Sequence, residues 1–85
     1  MKRSEILQKA QECTCGQREK DYGTPEENFE RIARYWSAYL GHHISPVDVT
    51  LMMILFKIAR SGGPNMTIDT FIDIAGYAAC GGEMI

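Results

Sequence analysis

The sequence lacks an excess of basic charge, a C-x-x-C pair, a long apolar run and any segment that reads as a β-strand. Nine Lys and Arg stand against eleven Asp and Glu, for a formal charge of -2. That leaves no cationic footprint for duplex DNA. The longest apolar stretch, Val49 to Phe56, is broken by Thr50 and is too short to span a bilayer. The N-terminal MKRSEILQKAQEC reads as an amphipathic helix without a signal-peptide core. These absences lead to the expectation of a soluble, cytoplasmic protein that binds neither membrane nor duplex nucleic acid. Cys13, Cys15 and Cys80 are an odd number. With His42 and His43 they would make a zinc site only by an accident of folding, so three reduced thiols, with Cys80 in the core, are expected. What remains is ordinary for a globular domain: 45% hydrophobic and 24% charged residues in a chain of 85. A single domain, residues 1–85, with a small core is expected, one that self-association would help.

Four helices are predicted, packed as an all-α bundle that oligomerisation completes. Ser4 caps the first, whose stripe is Ile6, Leu7, Ala10 and Cys13, and which ends near Gly16. Thr24-Pro25-Glu26-Glu27 starts the second, with Thr24 at the N-cap, Pro25 in the first turn and Glu27 closing a capping box. Phe29, Ile32, Ala33, Trp36 and Leu40 form its apolar stripe, and Gly41 stops it. Ser45-Pro46-Val47-Asp48 repeats the device before VTLMMILFKIAR. That third helix is apolar nearly all round, with Thr50, Lys57, Arg60 and Ser61 as a thin polar strip, and is expected to be both central and shared with another subunit. SGGPN breaks the chain. Thr67 then caps a fourth helix that runs to about Cys80, where Gly81-Gly82 ends it.

On helical wheels, Glu26 and Glu30 fall at the edge of the second helix's stripe while Glu27 points away. Asp69 and Asp73 form a second i, i+4 pair on the fourth helix, sharing a face with Gly76, Tyr77 and Cys80 opposite Phe71, Ile74, Ala75 and Ala78. If the two faces meet, Glu26, Glu30, Asp69 and Asp73 converge beside Lys57 and Arg60. Such hard oxygen ligands suit Mg²⁺. The plainer alternative is that Glu26 and Glu27 only favour a helix N-terminus. Asp73 lies mid-helix, where aspartate is a poor helix former, and requires a partner: Lys57, Arg60 or a metal. Tyr22, Tyr35, Trp36 and Tyr39 are core or interface residues before they are base-stacking ones.

The run KDYGTPEENFERIARYWSAYLG, followed by SPVDV, MMILFKIAR and DTFIDIAGYAAC, resembles a family of small phage and prophage proteins of unknown function, over roughly Arg18 to Gly82. The resemblance implies a viral origin, with the host cytoplasm as its place, and brings no activity. A looser likeness is to the all-α NTP pyrophosphatases of the MazG type, whose E-E-x-x-E and later E-x-x-D hold Mg²⁺ over a nucleoside triphosphate. Glu26-Glu27-x-x-Glu30 matches the first half. Asp69-x-x-x-Asp73 departs from the second, and one residue of spacing rotates a ligand by about 100°.

Three functions follow as expectations. The leading one is capture of a nucleotide or nucleotide-derived molecule by Arg18, Lys20, Asp21, Tyr22, Asn28, Arg31, Lys57, Arg60 and Tyr77, which would withdraw a signal from a host defence system. The alternative is Mg²⁺-dependent pyrophosphohydrolysis with Glu27 or Glu30 as base. The third is a non-catalytic structural or protein-binding module.

Overall fold

A computed structural model describes residues 1–16, 20–21 and 23–85, leaving aside the side chain of Asn65. Among the described residues the fold is all-α, with no strand. Its principal helices are α1 (Arg3–Cys15), α2 (Pro25–Leu40), α3 (Pro46–Arg60) and α4 (Ile68–Glu83), with a 3₁₀ turn at Gly63–Asn65 before α4. α4 is the hub: it packs on α3 and on α1, and α3 packs in turn on α2. No described helix is long and apolar enough to cross a membrane.

Local chemistry explains most boundaries. Thr24 Oγ1 accepts from Glu27 N at 3.2 Å and starts α2, but the expected capping box is not closed, because this bond has no reciprocal one from the Glu27 carboxylate. The Glu27 carboxylate folds back toward Gly23, where a Cβ would lie 2.9 Å from its Oε2. Gly41 ends α2 in the left-handed region (φ 66°), which leaves its N–H free to donate to Ser37 O. Ser37 then fixes the next connection: its hydroxyl accepts from Ile44 N at 2.8 Å and donates to Ile44 O. α3 opens with a complete capping box. Ser45 Oγ accepts from Asp48 N and Asp48 Oδ2 accepts from Ser45 N, both at 3.0 Å. The Ser45 backbone N–H first, and then the Ser45 hydroxyl beside it, hold the Asp48 carboxyl below its ordinary pKa, and His43 and His42 add to the effect.

Three expected ends are corrected. Ser4 lies inside α1. The N-cap is Lys2, whose N–H donates to Glu5 at 3.4 Å. Thr67 occupies the α4 N-cap position without a side-chain capping bond. Gly81 and Gly82 do not end α4, which continues to Glu83. Gly81 is needed where it is: a Cβ there would sit 2.5 Å from Thr50 Oγ1, so the pair lets α3 and α4 approach closely.

The core gathers Phe29, Ala33, Val49 and Cys80, with Ile32, Trp36, Ile44, Met53, Tyr77 and Met84 packed around them. Ala10 and Ile72 are buried as well. Leu7, Leu40, Tyr35 and Tyr39 are exposed, contrary to a core role.

The orientation of α3 inverts what its composition suggests. Val49, Thr50, Met53, Ile54, Lys57 and Ser61 face inward, buried or half-buried, whereas Leu51, Met52, Leu55, Phe56, Ile58 and Ala59 are exposed. Three of the four residues read as a polar strip therefore point into the protein; Arg60 alone stays outside. Thr50 is 1% exposed and satisfied, its hydroxyl donating to Val47 O at 2.7 Å. α4 follows suit. Ile72, Gly76, Cys80 and Gly81 are buried, Asp73 and Tyr77 half-buried, and Phe71 and Ala78 face out.

Gly81→Ala is expected to destabilise the protein by about 1–3 kcal/mol through overpacking. Gly82→Ala, where a Cβ meets open space, should stabilise it by up to about 1 kcal/mol. Urea denaturation of both variants checks the contrast, and Thr50→Ala should relieve part of the Gly81→Ala loss. A second outcome concerns acid. The folded Asp48 carboxyl titrates below its ordinary value of 3.8. Its contribution is thus fully present above that value and is lost as pH falls through the lower, folded one. The stability difference between the native chain and Asp48→Asn should shrink as denaturation is measured from pH 7 to pH values below about 4.

Candidate functional site

One cleft, of about 380 Å³, opens where all four helices come together. α1 contributes Cys13 and Thr14, α2 contributes Asn28, Phe29 and Ile32, α3 contributes Met53 and Lys57, and α4 contributes Asp73, Gly76, Tyr77 and Cys80. That volume lies within the range of small-molecule sites.

Its polar feature is an ion pair. Lys57 Nζ lies 2.9 Å from Asp73 Oδ2. The inward phase of α3 and α4 brings the two together, which answers the need of a mid-helix aspartate for a partner. Both side chains keep partial access to solvent, so the pair is worth no more than about 1 kcal/mol to the fold. An ammonium and a carboxylate held for so little stability are free to exchange partners.

The wall beside the pair is aromatic. Phe29 and Tyr77 meet edge to face, with ring centroids 6.1 Å apart at 65°. Asn28 adds an amide with both donor and acceptor atoms. The floor is Cys80, whose thiol pKa is raised, mainly by burial and then by the nearby charges of Glu83 and Cys15. Gly76 explains how α1 closes the cleft: a Cβ there would lie 3.2 Å from Thr14 Cγ2. The bare backbone admits a neighbouring helix. Thr14 itself donates to Ala10 O at 3.0 Å.

The structure thus brings together four of the expected residues: Asn28, Lys57, Asp73 and Tyr77. The others lie elsewhere. Glu26, Glu30, Arg31 and Asp69 are exposed and do not line the cleft. Arg60 is also outside, with Cζ 5.3 Å from the centre of the Phe56 ring. Lys20 and Glu27 border a more open depression of similar volume with Cys15, Gly16, Gly23 and Thr24. Asp21 is exposed. Arg18 and Tyr22 fall outside the described residues. The convergence of Glu26, Glu30, Asp69 and Asp73 is accordingly not formed. Among the described residues no three of His, Cys, Asp and Glu are gathered where they could hold a metal. The physical reason is position along the helix. Glu26, Glu30 and Asp69 occupy outward or terminal positions, and one carboxylate of the four reaches the cleft. Cys13, Cys15 and Cys80 are free thiols, the first two exposed.

Sequence reasoning did not single out Cys13, Thr14, Phe29 or Met53 as cleft residues. Phe29 and Met53 carry only the signal of core residues, and the place of α1 depends on the contact of Thr14 with Gly76, which no spacing reveals.

Residues 5–85 match a family described as a domain of unknown function, DUF6378. The chain is similar to the Gene 55 protein of Mycobacterium phage D29, 51% identical over 75 residues that cover 88% of this chain and 50% of that protein. It is likewise similar to the Gene 55 protein of Mycobacterium phage L5, 53% identical over 74 residues covering 86% and 47%. The chain therefore spans about half the length of the curated relatives it matches. No solved structure matches it. With nearly its whole length aligned to the family and to phage relatives at this identity, the chain belongs to the DUF6378 family of phage proteins.

Proposed function

We propose that the four-helix cleft captures a nucleotide or nucleotide-derived molecule and holds it without turnover. The observation that carries this reading is the juxtaposition of the Lys57–Asp73 pair with the Phe29–Tyr77 wall in one cavity of about 380 Å³. A nucleotide presents a phosphate, hydroxyls and a flat aromatic base. Lys57 suits the phosphate as a compact cation with three donors. Asp73, once released, accepts from ribose hydroxyls or base N–H groups. The aromatic pair supplies a surface for the base, and Asn28 can read its edge.

Capture is favoured over hydrolysis by the same geometry. Glu27 and Glu30, the residues considered as general base, do not line the cleft. A base must come within hydrogen-bond reach of the water it activates. In a phage protein, retention of a nucleotide would remove a signal from the infected cell, which is the biological role we infer for this binding.

Titration calorimetry with a panel of mono-, di-, cyclic and ADP-ribose-derived nucleotides tests the reading. At least one should bind. Lys57→Ala should then weaken it at least tenfold, a loss of about 1.4 kcal/mol, while Arg60→Ala leaves it nearly unchanged. No heat from any member, with or without Mg²⁺, would remove the proposal. Mg²⁺-dependent release of phosphate or pyrophosphate, lost in Glu30→Gln, would put hydrolysis in its place.

Thiol labelling gives an independent location. Bound nucleotide should slow iodoacetamide modification of Cys13, which lines the cleft, and spare the rate at Cys15, which lines the separate depression. Cys80 should stay unmodified in the folded protein in either state, being buried with its thiolate disfavoured. Mass spectrometry of the labelled peptides distinguishes the three.

A further inference from the structure

The outer side of α3 is chemically the wrong way round for a helix facing water. Leu51, Met52, Leu55, Phe56, Ile58 and Ala59 occupy a continuous arc of roughly 160° at 100° per residue. Leu51 is 55% exposed and Leu55 63%, while Thr50, Lys57 and Ser61 are turned inward. Met66, Ile68 and Phe71, at the adjoining turn and the start of α4, are exposed as well. The five large apolar side chains of the arc, at about half exposure, present on the order of 500 Å². A patch of that size stands in the upper part of the range that monomeric proteins leave in water, where such patches are often functional.

The total surface agrees. The chain exposes 6256 Å² for its 9.6 kDa, against about 5100 Å² for a folded monomer of that mass. Its radius of gyration, 13.6 Å, likewise exceeds the roughly 12 Å of a compact 85-residue domain. The excess of about 1200 Å² is of the order that one standard interface, about 800 Å² per partner, would remove.

We propose that the exposed arc of α3 is a self-association surface, occupied by α3 of a second copy of this chain in antiparallel, two-fold pairing. Charge at the ends of the helix sets the occupant and the direction. The exposed Asp48, ionised and held in its capping box, marks the N-terminal end, and the exposed Arg60 marks the C-terminal end. A two-fold axis near Leu55 sets Leu51 against Ile58 of the second copy. It also brings Asp48 to the last turn that carries Arg60 of that copy, and the two helix dipoles oppose. Parallel pairing would place like charges together. An anionic membrane is a poor occupant because a net charge of -2 and a lone Arg60 at the rim offer it little attraction. This surface lies on the opposite side of α3 from Lys57, so the inference stands without the nucleotide reading.

Analytical ultracentrifugation of the full chain, with circular dichroism to confirm helix content, tests it. At about 100 µM the protein should sediment at twice the 9.6 kDa chain mass. Leu55→Lys should give a folded monomer. Arg60→Glu should raise the dissociation constant at least tenfold, with the effect shrinking at high salt. Tyr39→Lys, on the exposed side of α2, should leave the assembly intact. A single-chain mass for the native protein would overturn the proposal. So would an assembly that survives Leu55→Lys, or one that Tyr39→Lys dissolves.

Discussion

The contact of α3 with α4 through polar and small residues orients everything else. Thr50 fits against the bare backbone of Gly81, and two turns away along both helices Lys57 reaches Asp73. Neither contact is strong by itself. Together they fix the rotation of a helix whose apolar residues, present on nearly every side, would permit several. Thr50 can be buried there because its hydroxyl is satisfied by Val47 O, and Gly81 can receive it because it has no side chain. Rotation of α3 by half a turn would bury Leu51 and Leu55. It would also expose Thr50 to water and separate Lys57 from Asp73. Half a turn would bury the more apolar face, so the observed rotation follows these polar contacts rather than the greatest hydrophobic burial within one chain, a role in specificity that buried polar groups can fill.

The same consideration shows why some features were legible in the sequence and others were not. Signals confined to a few adjacent residues carried through: Thr24-Pro25, the Ser45–Asp48 box and the left-handed Gly41 all occur as read. So does the pairing of Asp73, because a mid-helix carboxylate in apolar surroundings poses a local problem that a nearby cation solves. Helix phase was less accessible. A polar strip on an otherwise apolar helix ordinarily faces water, and for α3 that rule points the wrong way. Gly81-Gly82 resembles a helix stop for the same reason. Its function as a receiving surface for Thr50 exists only once the two helices are packed, and a distant contact cannot be read from neighbouring letters.

The acidic residues illustrate a related ambiguity. Glu26, Glu30, Asp69 and Asp73 have the right periodicity to form two facing pairs, but periodicity gives angle around a helix and not depth along the packed interface. Asp69 lies in the first turn of α4 and stays in solvent, whereas Asp73, one turn further, enters the cleft. Glu26 occupies the first turn of α2, where a carboxylate is favoured by the helix dipole without any partner. The capping account suffices for it. For Asp73 no such account exists, and the structure supplies Lys57 instead.

The two faces of α3 also bear on how a domain this small can combine a site with an assembly surface. Lys57 lies about 160° around the helix from Leu55, so a second copy seated on the outer arc would not cover the cleft. Ligand contacts and subunit contacts would then be separated by the thickness of one helix. Coupling between them would have to pass through the rotation of α3, because that rotation sets both the Lys57–Asp73 pair and the exposed arc. A ligand phosphate that draws Lys57 away from Asp73 loosens one of the two contacts that fix the rotation. The Thr50–Gly81 contact remains to hold it. The chemistry of the cleft could therefore change while the outer arc stays in place, which is what the proposed capture would require if binding is not to dissolve the proposed assembly.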